Sequence, residues 1–201
     1  MKYMIPDGET ADRIWINELF AEEEEEDSRE EIELIACYYD TADQDLARQG
    51  IAYRIRKEGE HYIATVKWQG KSEEGLHVRE ELTVPSAGNE PDLDLFRESR
   101  IGEELLAAAG GKSLEQLMKS VINRRRYRID TGSGIFEFSV DEGMVETSAG
   151  TEDIREVEIE LFSGETEELK ELGKKVRTHY GLVPDDSSKY AKGLALIGFE
   201  G

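Results

Sequence analysis

Glu156-Val157-Glu158-Ile159-Glu160-Leu161 alternates acidic and apolar residues without a break. Successive side chains of an extended chain point to opposite faces, so the glutamates share one face and Val157, Ile159 and Leu161 the other. The same period returns with the sign reversed in Arg54-Ile55-Arg56 and Arg124-Arg125-Arg126-Tyr127-Arg128. Glu137, Ser139 and Asp141 stand opposite Phe136, Phe138 and Val140, and Lys67 lies between Val66 and Trp68. Leu76 to Val84 is less regular because Glu80 breaks the alternation, yet Arg79, Glu81 and Thr83 keep one parity.

These charged faces meet either water or one another. Antiparallel sheets commonly leave one face solvated. Three neighbouring carboxylates without a cation repel, however, and oxygen-only clusters suit Mg²⁺ or Mn²⁺. A closed antiparallel barrel turns alternate residues of every strand inward, where mixed signs offset the penalty of burying ions. Alternation alone leaves a wet sheet and a charged tunnel equally open.

Composition narrows the partners. A chain of 201 residues suffices for one sizeable domain, and no repeat or linker divides it. Lys and Arg number 25 against 46 Asp and Glu, a net charge of −21. Such a field repels nucleic acid and anionic membranes, so an anionic ligand needs a local basic pocket. The single Cys37 precludes an internal disulfide or a Cys-rich zinc site. No apolar run reaches the ~20 residues of a membrane span and no signal-peptide pattern follows Met1, which leads to the expectation of a cytoplasmic protein. No oligomeric state is implied.

Along the chain, Lys2 to Ile5 reads as the tail of a strand, followed by a helix that Thr10 could cap. The acids Glu22 to Asp27 read as a solvated helix end or loop. Glu31–Tyr39, Ile51–Lys57, His61–Trp68 and Leu76–Val84 read as strands, with a hairpin turn at Glu58-Gly59-Glu60 and a loop over Gly70–Gly75. Asp92 to Ser120 reads as helical, broken near Gly110-Gly111. Ser120–Asp130, Gly134–Val140, Met144–Glu146 and Ile154–Phe162 read as strands, Thr166–Tyr180 as a helix, and Asp185 to Ser188 as a polar loop.

The order of these pieces carries a family signature. Tyr38-Tyr39-Asp40-Thr41, Gly50-Ile51-Ala52-Tyr53-Arg54-Ile55-Arg56, Thr65-Val66-Lys67, Arg79-Glu80-Glu81, the Glu156–Leu161 ladder and Ser188-Lys189-Tyr190-Ala191-Lys192-Gly193 together resemble the CYTH domain. Its members, the triphosphate tunnel metalloenzymes, include inorganic triphosphatases, thiamine triphosphatases and class IV adenylyl cyclases. The resemblance implies an α+β fold, an eight-stranded antiparallel β-barrel flanked by helices. It implies that Lys2, Arg54, Arg56, Lys67, Arg79, Arg124, Arg126 and Lys189 hold a small-molecule triphosphate. Glu158 and Glu160 would ligate the metal, with Glu137 and Asp141 in support. The family's first strand reads Glu-x-Glu-x-Lys; Lys2 matches its lysine, and the glutamates would precede Met1, so the first strand is expected to be incomplete.

The chemistry implied is hydrolysis of inorganic triphosphate with Mg²⁺ or Mn²⁺, releasing orthophosphate. Arginine forks would hold phosphate oxygens, Lys67 would act as a movable charge, and Glu81 would orient the attacking water. Alternatives are hydrolysis or cyclisation of an organic triphosphate such as thiamine triphosphate or ATP, or non-catalytic binding of polyphosphate or nucleotide. His61, His77 and His179 lack metal-ligand spacing and read as structural or surface residues; Tyr38, Tyr39 and Trp68 read as core aromatics, and Cys37 as a buried small hydrophobe. Gly110-Gly111-Lys112-Ser113 lacks the earlier glycine of a phosphate loop.

Overall fold

The parity of the ladders decides which way the sheet curls. The computed structural model describes residues 1–199. Its strands are β1 (Lys2–Met4), β2 (Glu30–Asp40), β3 (Ala52–Glu58), β4 (His61–Glu73), β5 (Leu76–Ser86), β6 (Glu115–Asp130), β7 (Ile135–Thr147), β8 (Gly150–Ser163) and β9 (Val183–Pro184). They form one antiparallel sheet in the order β5-β4-β3-β2-β6-β7-β8-β1-β9. Among the described residues there are nine strands rather than the expected eight, because Val183–Pro184 adds a short strand beside β1. The helices are α1 (Gly8–Trp15), α2 (Asp45–Arg48), α3 (Gly102–Ala109), α4 (Thr166–Tyr180) and α5 (Lys189–Leu196).

The apolar parity faces outward, beneath helices. Tyr127, Phe136, Phe138, Val140, Val157 and Ile159 pack under Ala11 and Ile14 of α1 and Leu169, Leu172 and Val176 of α4. Tyr53, Ile55, Ala64, Val66 and Trp68 form a second core with Leu46, Phe96 and Leu105. Tyr127 and Phe138 stack with centroids 5.2 Å apart, a pair worth about 0.5–1.5 kcal/mol beyond its buried area. With its apolar side covered, the sheet turns the charged parity inward. α5 sits on that inner face, at one end, where Tyr190 and Leu194 pack against Tyr38, Met118, Val145 and Ile154. Gly193 allows this approach, since a Cβ there would run into Met118.

The edges of the curled sheet meet through the β4–β5 turn. Lys2 N donates to Gly75 O at 2.7 Å, Gly75 N donates to Asp186 Oδ1 at 2.7 Å, and His77 Nε2 donates to the Asp185 carbonyl at 2.7 Å. Gly75 adopts φ +80°, and a Cβ there would strike Lys2 O.

Several boundaries differ from the sequence reading. Asp7, not Thr10, caps α1, accepting from Thr10 N at 2.8 Å. β4 runs on through Gly70 to Glu73, absorbing an irregularity between Trp68 and Lys71. The stretch expected to be helical from Asp92 to Ser120 becomes strand at Glu115. There, pairing with β2 and β7 overrides the helix propensity of Glu115-Gln116-Leu117-Met118. β7 is one continuous strand through Thr147, and α5 follows the polar loop at once.

Candidate functional site

The inner face encloses a cavity of about 710 Å³, and every residue expected to hold triphosphate, metal or the attacking water lines it. Arg54 and Arg56 reach it from β3, Lys67 from β4, and Arg79 and Glu81 from β5. Arg124 and Arg126 reach it from β6, Glu137 and Asp141 from β7, and Glu158 and Glu160 from β8. Lys2 of β1 and Lys189 of α5 complete the lining.

On β7 and β8 the register sets acid against acid: Asp141 faces Glu156, and Glu137 faces Glu160. Like charges directly opposite destabilise a sheet unless cations intervene. For the first pair they do. Arg124 grips Asp141 with two bonds of 2.7 Å and reaches Glu158 at 2.8 Å. Lys189 Nζ lies 2.7 Å from Asp141 Oδ2 and 3.3 Å from Glu158 Oε1, and also contacts Glu156. Lys2 lies 3.5 Å from Glu156 and 3.4 Å from Asp185, while Lys192 reaches Asp185 at 2.9 Å and Glu156 at 3.6 Å. Glu137 is met by Arg128 at 3.1 Å and Arg126 at 3.6 Å. Glu160 has no ion-pair partner among the described residues.

The β3–β5 wall is the reverse. Among the described residues Arg54 and Arg79 form no ion pair, and the Nε atoms of Arg54, Arg56 and Arg79 are buried without a hydrogen-bond partner. Arg56 contacts Glu58 near its own strand end, and Lys67 pairs with Glu81 at 2.6 Å. A buried guanidinium N–H left unpaired is costly, on the order of 1–3 kcal/mol or more. All three side chains line the same lumen, so this wall carries donors that the described residues leave unpaired.

The charges shift each other's protonation. Burial would push Glu158 up, but Lys189, Arg124, Lys2 and Lys67 overcome it and hold its carboxyl well below the usual range. Burial would lower Lys189, yet Asp141, Glu158 and Glu156 raise it well above an ordinary lysine. Arg124 is raised in the same way, by Asp141 and Glu158 against burial. Glu160 goes the other way, raised by its enclosure and then by Glu158 and Glu137. Arg56 is lowered by burial and by Arg54. Burial opposes the lowering of Glu81, which Lys67 nevertheless achieves.

The tightest carboxylate nest differs from the expected ligand set. Ligand oxygens of Asp141, Glu156 and Glu158 lie within 4.8 Å of one another. Asp141 and Glu158 were anticipated as metal ligands; Glu156 was only a member of the ladder, and Glu137 and Glu160 stand outside the nest. An all-oxygen set of this kind fits Mg²⁺ or Mn²⁺ chemically. Sequence reasoning also missed Asp185 and Lys192. Asp185 lay in what read as a polar loop, but it is 6% exposed and bridges Lys2 to Lys192. The Ser-x-x-x-Lys spacing beyond it was the available signal: with Ser188 as cap, Lys189 and Lys192 come three residues apart on one helix face. Tyr38 is buried in the core as expected, and it also lines the cavity, stacked on Tyr190 at 5.4 Å. His77 also lines it and ties the barrel edges together.

Comparison with known proteins places this arrangement. A protein of Haemophilus influenzae described as an inorganic triphosphatase is 26% identical over 159 residues, covering 79% of this chain; the chain spans 44% of that relative's length. Among solved structures, a proposed adenylyl cyclase from Hippeastrum with a dominant triphosphatase activity superposes with a TM-score of 0.69 at 21% identity, over 97% of this chain and 94% of the other. A proposed adenylate cyclase from Bacillus halodurans superposes with a TM-score of 0.56 at 18% identity, over 94% and 91% of the two chains. No helix among the described residues is long and apolar enough to cross a membrane. The family model for the CYTH domain matches residues 1–194, and the chain belongs to that family.

Proposed function

We propose that the cavity binds and hydrolyses inorganic triphosphate, releasing orthophosphate, with Mg²⁺ or Mn²⁺ as cofactor. One observation carries this reading: Arg54, Arg56 and Arg79 line a lumen whose other wall is acidic, and each carries a buried Nε with no hydrogen-bond partner. A compact polyanion satisfies those donors, and the carboxylates opposite accept the metal that accompanies it. The likeness to an inorganic triphosphatase supports the choice of substrate.

In this reading Arg54, Arg56 and Arg79 fix phosphate oxygens, and Arg124, Arg126, Lys2 and Lys189 supply further positive charge along the chain of phosphates. Glu158 and Glu160 would hold the metal, Glu158 as part of its nest with Asp141 and Glu156, and with Glu137 in support; when bound, it would offset charge on the phosphoryl oxygens. Lys67 neutralises charge developing at the terminal phosphate. Glu81, kept ionised by Lys67, accepts a hydrogen bond from water and orients it rather than acting as a strong base. A second reading, an organic triphosphate such as thiamine triphosphate or ATP, is favoured by Phe162, which lines the cavity and is 52% exposed. A base or heterocycle could rest on that ring.

Phosphate release from tripolyphosphate, ATP and thiamine triphosphate, measured with Mg²⁺, Mn²⁺ or chelator, tests both. Orthophosphate from tripolyphosphate with metal, abolished in Glu160→Gln, is expected. Faster turnover of an organic triphosphate would transfer the reading to that substrate, and a cyclic product from ATP would make it a cyclase. No turnover with tight tripolyphosphate binding would leave a binding protein.

A further inference from the structure

The nest best suited to a divalent cation is already occupied by an ammonium group. Lys189 Nζ stands among the oxygens of Asp141, Glu156 and Glu158. It is put there by its helix. Ser188 caps α5, accepting from Ala191 N at 3.1 Å, and Gly193 brings α5 onto β6 and β7. The first residue of the helix is thereby aimed at the nest.

The charges close on themselves. Lys2, Arg124, Lys189 and Lys192 meet Asp141, Glu156, Glu158 and Asp185, four cations for four carboxylates, each in contact with at least one opposite partner. A divalent ion added to this set leaves buried positive charge without a counter-ion, across the lumen from arginines that already lack one. The nest still has acceptor capacity, because Glu156 Oε2 is buried without a hydrogen-bond partner, its nearest cations Lys2 and Lys192 lying at 3.5 and 3.6 Å. A polyphosphate reverses the balance. Its oxygens compete for the Lys189 ammonium, and each cation that turns to phosphate leaves carboxylate oxygens to be filled.

We propose that Lys189 is an internal counter-ion that keeps a divalent cation out of the Asp141–Glu156–Glu158 nest until polyphosphate draws it away. The inference rests on the triphosphate reading above. Metal and polyphosphate then bind with positive coupling, and by linkage each strengthens the other equally. Binding is ordered by preference: polyphosphate enters on the unpaired arginines, and metal follows.

Electron paramagnetic resonance titration of Mn²⁺ tests this without turnover. Mn²⁺ alone should bind the unmodified protein weakly. Binding should tighten at least tenfold once the protein is saturated with the imido-bridged analogue of tripolyphosphate, after correction for Mn²⁺ held by free analogue. Lys189→Met should tighten Mn²⁺ binding at least tenfold with no polyphosphate present, while Lys189→Arg should not. If Lys189→Met does not fold, Lys189→Gln, whose amide can still bond the carboxylates, carries the same expectation. Equal Mn²⁺ affinity in the unmodified protein and the neutral variant, or weaker affinity in the variant, overturns the proposal. A chelator-treated protein that does not bind the analogue at all sinks the triphosphate reading instead, and the neutral variants still decide whether Lys189 excludes metal.

Discussion

The two walls of the lumen are both charged, but only one is complete. On β7 and β8, Asp141, Glu156 and Glu158 are matched by Arg124, Lys189, Lys2 and Lys192 at salt-bridge distance. On β3 to β5, Arg54 and Arg79 have no such partner among the described residues. The first wall is neutralised within the fold; the second carries unmatched charge, which the proposed function assigns to a ligand. Residues of the same type on the same parity can therefore differ in kind, and what separates them is what the neighbouring strand sets opposite.

Arginine removal should break the comparison most sharply. Arg124→Ala leaves Asp141 and Glu158 to share Lys189 as their cation, so unfolding in urea should show a loss of up to about 3–5 kcal/mol, the range for breaking a buried ion pair. Arg54→Ala should leave stability unchanged or raised, since it removes a half-buried charge that has no ion-pair partner among the described residues. Comparable losses from both would erase the distinction between the walls.

Ligand binding should invert that order. Arg54→Ala and Arg79→Ala should each weaken tripolyphosphate binding roughly 10- to 100-fold, the loss of charge-assisted hydrogen bonds worth about 1.5–3 kcal/mol. Unchanged affinity in both would mean that the unmatched charge is not used by phosphate.

The contact that joins the walls offers a smaller effect. Gly75→Ala places a side chain at φ +80° against Lys2 O and should destabilise by about 1–3 kcal/mol. Hydrogen exchange at Gly75 and Asp185 amides should speed up more than at the amides of β6. A uniform change would locate the effect elsewhere.

Glu160 is the acid wall's exception, and its sign follows from its raised pKa. A carboxyl whose folded pKa lies above the ordinary 4.5 contributes stability below that value and loses it as pH rises through the folded pKa. Glu160→Gln should thus be slightly more stable than the unmodified protein at neutral pH without metal, and equal to it once pH falls below 4.5. A variant less stable at neutral pH would contradict the unpaired state of this side chain.

Much of this was legible from parity alone. Alternation assigned Arg54, Arg56, Lys67, Arg79, Glu81, Arg124, Glu158 and Glu160 to one face each, and curling of the sheet put those faces in one lumen. Parity could not say which charges find partners. Lys189 and Lys192 lie on a helix that periodicity did not reveal, and they meet Glu156 from more than thirty positions away. Asp185 looked like an ordinary loop acid until β9 and α5 enclosed it. Local propensity misread Glu115 to Ser120 for a related reason: the pairing that makes it a strand is supplied by distant segments.

Calorimetric titration of tripolyphosphate into chelator-treated protein, beside the Arg54→Ala Arg79→Ala double variant, tests the division between the walls most directly. One-to-one binding without metal, lost in the double variant while its unfolding transition is unchanged or raised, is the predicted result. Absence of binding to the unmodified protein, or binding that the double variant keeps in full, would contradict it.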